Sequence, residues 1–234
     1  LKAQYRRRSF SDEQLIKIFN APIYTGCVND ERGYKIPGPN NPRRHRFWLP
    51  LIALFSGMRL LEIYQFEVND IQKVQGIDCF VVTDISDDPH ANKLLKSESA
   101  ERVIPIHPTL IKIGLLKYHK RISKSGGTRL FPAAKLRTSG SSTDLFSVWF
   151  NERFLPSLDA KTVRTSFYSF RHNFRDALRE ANMPRDALRE LCGWSRYKAG
   201  WEGIYGNGYR TETLAKYMAQ VEYPKLDLSH LYDD

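Results

Sequence analysis

The sequence lacks the features that would assign it to several protein classes at once. No apolar run in its 234 residues approaches the roughly 20 needed to span a bilayer, which excludes a transmembrane helix. The opening LKAQYRRRSF has no apolar stretch of the kind found in secretory signals. Its three cysteines, Cys27, Cys79 and Cys192, are far apart and odd in number. This excludes a disulfide framework and makes the cytoplasm the expected location.

Motifs for metal and nucleotide chemistry are also missing. None of the six histidines pairs at a ligand spacing such as HExxH, and there is no CxxC. The chain contains neither GxxxxGK followed by Ser or Thr nor GxGxxG ahead of a helix. We therefore expect no cofactor and no metal, so any chemistry must come from side chains alone.

Positive charge is what the sequence has in excess. Lys and Arg number 36 against 26 Asp and Glu, a net charge of +10, while 41% hydrophobic residues indicate a globular chain. The charge favours a polyanionic partner, and nucleic acid over a membrane surface, because no basic amphipathic helix with an aromatic underside is present. Charge alone does not separate a nucleic-acid-binding protein from an ordinary basic one.

The residue patterns predict a mainly α fold with a small antiparallel β-sheet (α+β). Helices are predicted over 11–20, 45–55, 59–66, from Pro108 onward, 144–155, 167–181, 185–192 and 211–221. Strands are predicted over 77–85 and 102–106, the second at a sheet edge because it contains Pro105. Thr211 is expected to cap the last helix, and 21–42 to be a long irregular connection. We expect a basic arm or linker over 1–9 and one domain over 10–234.

Two segments in the first half carry candidate chemistry. In GMRLLEI, Arg59 and Glu62 stand one helical turn apart just after a buried helix. The structural alternative is a surface ion pair of Arg59 with Glu62 or Asp70. In KSESAERVIPIHP, Lys96 could reach a site as a proton donor or simply be solvated, and nearby Lys93 is its rival.

Two more segments lie in the second half. In SFYSFRHNF the spacing predicts that Tyr168, Arg171 and His172 share one helix face, opposite a phenylalanine stripe. Such a face could simply be solvated. However, a guanidinium flanked by other hydrogen-bond donors is also well suited to binding a phosphate. In LCGWSRYKAGWEGIYGNGYR, Tyr205 lies in a glycine-rich stretch after Trp194, where a tyrosine could be a turn residue or a nucleophile.

Taken in order, these four segments resemble the boxes of the tyrosine recombinase (phage integrase) family, from about Phe10 to Tyr232. GMRLLEI resembles the first arginine box, SFYSFRH the HxxR box, and LCGW the LGH or LGW box that precedes the nucleophile. The YGNGY and YPKLDLSHL segments resemble those of bacterial and prophage integrases. The resemblance implies the recombinase catalytic-domain (DNA breaking-rejoining enzyme) fold, without the family's N-terminal DNA-clamping domain.

The resemblance also implies a reaction, site-specific recombination or integration of DNA without metal or ATP. Arg59 and Arg171 would clamp the non-bridging oxygens of the scissile phosphate, with Glu62 in support. Lys96 would protonate the leaving 5′ oxygen, and Tyr205 would form a 3′-phosphotyrosine link. The remaining implied site residues are Trp194, against the phosphate, Tyr168, at the first HxxR position, and His172, in a supporting place. The implied partners are double-stranded DNA and further copies of the chain in a tetramer.

One position departs from the family pattern and keeps a second hypothesis open. Tyr168 stands where the family usually has histidine. A phenol keeps its proton at neutral pH, so it can donate to a phosphate oxygen but is a poor base. The alternative is therefore a DNA-binding, integrase-like protein with a degenerate, weakly active site. A type IB topoisomerase-like enzyme would share the chemistry, but the YGNGY and LDLSHL segments favour an integrase. A third alternative, a helical interaction protein without catalytic activity, would not explain why the four boxes occur in this order.

Overall fold

The computed structural model describes residues 7–88, 93–95, 100–134, 144–194 and 208–233, with Asp144 described by its backbone alone. Two of the site residues expected from the sequence, Lys96 and Tyr205, lie outside these ranges. Within the described ranges, no helix combines the length and the apolar character that crossing a membrane requires.

The N-terminal part begins with a helix that the sequence predicts. α1 (Asp12–Phe19) is capped by Ser11, whose side chain accepts from the backbone of Gln14 while the Gln14 side chain accepts from Ser11. The following connection is less irregular than expected. It contains the short helix α2 (Pro22–Thr25), and Cys27 forms backbone bridges with Pro37 and Asn40.

Two helices in the first half carry the first arginine box. α3 (His45–Ser56) is the expected central helix, and each of its residues from 47 to 56 is buried. It ends at Gly57, whose φ of 63° is the left-handed conformation that glycine adopts most easily. α4 (Leu60–Tyr64) follows, and Arg59 is its N-cap residue. The turn around Gly57 therefore sets the direction in which Arg59 leaves the core.

In the described part of the chain, the sheet has three antiparallel strands in the order β1-β2-β3. They are β1 (Ile71–Val74), β2 (Ile77–Val82) and β3 (Arg102–Pro105), and a 3₁₀ turn (Val68–Asp70) precedes them. Among the described strands β3 lies at an edge, as Pro105 indicates. β1 is missing from the sequence prediction because only four residues form it. Gln75 and Gly76, with φ of 51° and 81°, make the tight turn that pairs it with β2.

The second half is helical, with bounds that differ from the predicted ones. The helices are α5 (Pro108–Lys112), α6 (Leu115–Lys124), α7 (Asp144–Val148), a π-helical turn (Trp149–Phe154), α8 (Leu155–Ser157), α9 (Ser169–Glu180), α10 (Arg185–Cys192) and α11 (Thr211–Met218), with a final 3₁₀ turn (Ser229–Leu231). Gly114, with a φ of 96°, divides the single helix expected after Pro108. Thr211 is not a cap: Arg210 holds that position, and Thr211 is the buried first residue of α11.

The core confirms the predicted fold class, mainly α with a small antiparallel sheet. α9 packs along α3, and the Phe174 ring sits so close to Gly57 that a side-chain carbon there would clash with it. The edge strand β3 contacts both α10 and α11. The end of α3, the start of α4, strand β3 and the end of α10 therefore meet in one place.

Candidate active site

Arg59 and Glu62 form the ion pair that the spacing suggests, but not on the surface. The Arg59 Nη1 atom lies 2.6 Å from Glu62 Oε1, and the Arg59 backbone N–H donates to Glu62 Oε2 at 2.9 Å. The Glu62 side chain is only 3% exposed, whereas that of Arg59 is 22% exposed. The pair is therefore anchored inside the protein, with Arg59 as its outer member.

Arg102 is the second partner of Glu62, and the sequence interpretation missed it. Its Nη2 atom donates to Glu62 Oε2 at 2.8 Å, its Nε to the Leu191 carbonyl at 3.0 Å, and its Nη1 to the Ala100 carbonyl at 2.5 Å. The sequence did contain a signal for this contact. Side chains alternate between the two faces of a strand, so Arg102 lies on the same face as buried Ile104. An arginine on the inward face of a strand requires a buried acceptor.

The pKa of Glu62 follows from these contacts. Burial on its own raises the pKa of this carboxyl. The charge of Arg102 and the hydrogen bonds from Arg102 and Arg59 outweigh burial, so the pKa of Glu62 lies below its usual value. Glu62 is therefore a carboxylate at neutral pH, held by both arginines.

Arg171 points inward, which corrects the prediction of one shared polar face on α9. The face that enters the core combines Phe167, Phe170, Arg171 and Phe174, at the i, i+3, i+4 and i+7 spacing of a buried stripe. The Arg171 guanidinium donates to the carbonyls of Gly57 and Cys192, at the ends of α3 and α10. Helix ends present unpaired carbonyls and a partial negative charge, so they are natural acceptors for a buried cation.

Arg171 also lies within the electrostatic reach of the other charged groups. Burial, and in addition the positive charges of Arg59 and Arg102, lower the pKa of the Arg171 guanidinium. We call Arg59, Glu62, Arg102 and Arg171 the arginine cluster. Three guanidinium groups face one carboxylate, which leaves a local excess of positive charge.

Cys192, a potential nucleophile, lies in contact with the arginine cluster. It is fully buried, its carbonyl accepts from Arg171, and burial raises the pKa of its thiol. A buried thiol with a raised pKa stays protonated and unreactive. The cluster therefore holds positive charge around a site to which Cys192 contributes only its carbonyl.

Tyr168 and His172 lie together on the outer side of α9. Tyr168 is 46% exposed, and its ring meets that of half-buried His172 edge-on, with 5.2 Å between the centroids. Burial and then the charge of Arg175 lower the pKa of His172, so its ring is neutral at pH 7. His172 supports the Tyr168 ring, and neither side chain shares the inward face of Arg171.

An open cleft of about 170 Å³ connects Tyr168 with Arg59. Its lining residues are Met58, Arg59, Leu60, Ser147, Asn151, Ser166, Phe167 and Tyr168. One water needs about 10–15 Å³ by a comparable measure, so the cleft has room for a larger polar group. The outer member of the arginine cluster and the half-exposed phenol thus face the same space.

The segment after α10 is described only at its two ends. Trp194 follows the left-handed Gly193 and packs, partly buried, against the hydrophobic core. At the other end, the Tyr209 backbone N–H donates to Glu190 at 3.2 Å, and the Tyr209 ring contacts that of Tyr217. Burial raises the pKa of the Tyr209 phenol, which makes it a poorer nucleophile. The expected nucleophile Tyr205 lies between these two ends, outside the described residues, as does Tyr197.

Lys93, the alternative to Lys96, is engaged elsewhere. Its Nζ atom lies 2.7 and 2.8 Å from the Asp70 carboxylate oxygens and 2.9 Å from Glu67 Oε2. All three side chains are at most 7% exposed. Glu67 also accepts from the Ser86 hydroxyl and the Asp87 backbone. We call Lys93, Glu67 and Asp70 the lysine cluster. Its ammonium is committed to two carboxylates.

Comparison with known proteins gives matches among solved structures only. No protein-family profile and no curated protein matches the sequence. The integrase of the transposon Tn1549 in complex with a circular intermediate DNA is 14% identical, with a TM-score of 0.51 over 91% of this chain and 66% of that chain. The same integrase with transposon right end DNA is 15% identical, with a TM-score of 0.49 over 86% of this chain and 61% of that one.

At these levels of identity, the comparisons give information on the fold alone. The assignment of the fold rests on the match with the TM-score of 0.51. The chain spans 61% and 66% of the length of the two integrase chains. In the described residues, its mostly helical architecture with a three-stranded antiparallel sheet has the same fold as the matched part of that integrase. The fold implied by the four sequence boxes is therefore confirmed.

Proposed function

We propose that this chain is a catalytic domain that cuts and rejoins DNA in site-specific recombination or integration, through a covalent 3′-phosphotyrosine intermediate. The observation that carries the proposal is the arginine cluster, with its excess of positive charge, in a recombinase-like fold. An incoming phosphate would balance the uncompensated charge. The structural alternative, in which the arginines only cap helix ends, accounts for the contacts of Arg171 and Arg102 but not for Arg59 at the cleft.

The arginine cluster suits the charge that develops during phosphoryl transfer. A guanidinium has five N–H donors, and the Arg171 contacts with Gly57 and Cys192 leave some of them for a phosphate oxygen. Arg59 is partly exposed, so it can approach the same phosphate from the cleft side. Fixed cations in a partly buried site stabilise the equatorial oxygens of the transition state without a metal.

The bond-making residues come from the sequence resemblance. In this proposal the Tyr205 hydroxyl releases its proton to water and its oxygen bonds to phosphorus. The bond from phosphorus to the 5′ oxygen breaks, and the Lys96 ammonium gives a proton to that oxygen. Lys93 is less suited to this role because its buried ammonium is already paired with Asp70 and Glu67. The phosphotyrosine ester keeps the bond energy, so a DNA 5′ hydroxyl can reverse the step without ATP.

Double-stranded DNA is the proposed partner, and the net charge of +10 supports it. Lys and Arg side chains that contact phosphates displace counterions, so the affinity should fall steeply as salt rises. We extend the proposal to a tetramer on DNA from the family resemblance. Gel filtration of the protein with and without DNA tests that extension.

The decisive experiment traps the covalent intermediate. The chain is incubated with a pool of nicked duplexes of randomised sequence, in which the cleaved fragment diffuses away and cannot be rejoined. Adducts that survive denaturation are sequenced to identify the site, and mass spectrometry identifies the linked tyrosine. Tyr205→Phe should abolish the adduct while gel-shift binding of the recovered duplex persists.

Two other tyrosines provide matched controls. Tyr197→Phe and Tyr209→Phe remove the same hydroxyl from the same region and should leave the adduct in place. Tyr209 is docked on α10 and α11, which supports its use as a control. An adduct that persists undiminished in Tyr205→Phe would refute the assignment, as would a wild-type chain that yields none.

A second candidate function is DNA binding with a weakly active site. The position of Tyr168 supports it, because a half-exposed phenol lines the cleft beside Arg59 where the family usually has an imidazole. Tyr168→His should raise the cleavage rate if the site is compromised, since positioned acid–base groups contribute roughly 10²–10⁴-fold. An unchanged or lower rate would show that the phenol is suited to this site.

A further inference from the structure

Arg102 joins three segments that are distant in sequence. It belongs to strand β3, its carboxylate partner Glu62 lies on α4, and its carbonyl partner Leu191 lies in the last turn of α10. Gly193 packs against it so closely that a side-chain carbon there would lie 2.8 Å from Arg102 Nη1. Each of the three nitrogens of the guanidinium thus donates to an acceptor within the protein.

Burying two charged side chains to this extent costs free energy unless their hydrogen bonds replace the lost hydration. The Arg102 side chain is 2% exposed and that of Glu62 is 3% exposed. A buried ion pair seldom stabilises a fold more than apolar packing would, because both charges lose their hydration. Stability is therefore a weak reason for this pair, and its effect on a neighbouring group is a stronger one.

That neighbouring group is Arg59. Glu62 divides its two oxygens: Oε2 accepts from Arg102 and from the Arg59 backbone, while Oε1 accepts from the Arg59 side chain. Because Arg102 and the Arg59 backbone hold Oε2, the Arg59 side chain contacts the carboxylate only at Oε1. Without Arg102, the Arg59 side chain could take both oxygens in a forked pair and turn away from the cleft.

We propose that Arg102 is a positioning residue, which acts through Glu62 to hold the Arg59 guanidinium toward a phosphate in the cleft. The proposal rests on the proposed function, and it adds a residue to which the four sequence boxes give no role. Arg102 itself is assigned no contact with the DNA, because its side chain is only 2% exposed and each of its three nitrogens already donates to Glu62, Leu191 or Ala100.

The test compares two forms of the scissile phosphate in the duplex recovered from the trapping experiment. In the first it is an ordinary phosphate, and in the second a methyl group replaces one non-bridging oxygen, which removes the negative charge. Arg59→Ala should slow cleavage of the phosphate by about 10²–10³-fold, as loss of a preorganised charge stabiliser does. Its defect should largely disappear on the uncharged substrate.

Arg102→Met should show the same dependence on the charge of the substrate, with a smaller loss of cleavage rate. By analogy with the residues that orient metal ligands, it should slow cleavage of the phosphate by about 10–100-fold, and the uncharged substrate should relieve the defect. A residue with a merely structural role would slow both substrates equally. That result, or a rate equal to wild type, would overturn the proposal.

Arg129→Met is the matched control. Arg129 is half-buried and donates to the backbone carbonyls of Ala134 and Tyr64, so its loss also removes an arginine bonded to main chain. Its rates on the two substrates should keep the wild-type ratio. Thermal unfolding of each variant establishes that the compared proteins are folded.

Two further variants keep the test decisive. If Arg102→Met does not fold, Arg102→Lys retains a charge beside Glu62 but loses the fork that reaches the Leu191 carbonyl, and it should show a smaller defect with the same relief. In a Glu62→Gln background, Arg102→Met should add little, because both act through one carboxylate. Full additivity would contradict the proposal. Failure of the wild-type chain to form an adduct would instead count against the proposed function.

Discussion

The arginine cluster and the lysine cluster are two buried groups of charges with opposite balances. The first sets three guanidinium groups around Glu62 and opens to a cleft at Arg59. The second sets two carboxylates around one ammonium, Lys93, with Ser86 and the Asp87 backbone as additional donors. Both clusters draw on segments next to the strands of one small sheet, yet only the first retains excess positive charge and an exposed member.

The difference shows which buried charges are left available to a ligand. A closed cluster whose ammonium is fully committed ties the 3₁₀ turn before β1 to the segment after β2, and it has no cation left for a ligand. An open cluster with surplus guanidinium groups can accept an anion. Removing a charge from the lysine cluster should therefore harm the fold first, and removing the outer charge of the arginine cluster should harm the reaction first.

The largest expected effect is on stability, from Lys93→Met. It leaves the carboxylates of Asp70 and Glu67 buried without a cation, which should lower the free energy of unfolding by about 3–5 kcal/mol. Urea unfolding measures the change. Lys73→Met removes an exposed lysine paired with Asp78 at 3.1 Å and should cost less than about 1 kcal/mol. Equal losses of unfolding free energy in the two variants would show that the buried pair contributes no more to stability than the exposed pair.

The next effect is on the reaction, from Arg59→Ala. Cleavage of the trapped duplex should fall by about 10²–10³-fold, since one positive charge near the transition state is lost. Glu62 keeps Arg102 and the residue 59 backbone N–H as partners, so unfolding should shift by only about 1 kcal/mol. Parallel cleavage and unfolding measurements test this. A stability loss as large as that of Lys93→Met would show that Arg59 is mainly structural.

The smallest effect is a pH dependence of opposite sign at two carboxyl groups, Glu62 in the arginine cluster and Asp70 in the lysine cluster. Arg102 and hydrogen bonds overcome burial at Glu62, whose pKa is lowered. Its stabilising contribution is therefore complete above pH 4.5 and is lost as the pH falls through the folded-state pKa. Burial dominates at Asp70, whose pKa is raised despite Lys93. Stability from Asp70 thus declines as the pH rises from 3.8 through its folded-state pKa.

Neutral variants separate these two contributions. At pH 7, Glu62→Gln should destabilise the protein more than Asp70→Asn, because the fold favours the charged form of Glu62 and the neutral form of Asp70. Unfolding curves recorded between pH 3 and pH 7 test the difference. Equal losses at pH 7, with equal slopes in acid, would show that the fold does not treat the Glu62 and Asp70 carboxyl groups differently.

The sequence predicted the parts of the site that depend on local pattern. The Ser11 capping box, the buried helix up to Gly57 and the pairing of Arg59 with Glu62 follow from spacing within one or two turns, and the structure confirms them. The strand β1 and the break at Gly114 were missed, because four residues carry little periodicity and a helical apolar pattern can continue across a glycine. The roles assigned to Lys96 and Tyr205 stay predictions.

The sequence by itself determined which residue types are present and the fold class they favour, since caps, apolar periods and turn residues act over a few neighbouring positions. Only the tertiary structure decided which charges meet. Arg102 reaches Glu62 across 40 residues, and Arg171 reaches the Gly57 carbonyl across 114. Burial then decides what each charge does, because a guanidinium excluded from water must find its partners within the fold, and those partners come from helix ends and strands that the chain brings together only when it is folded.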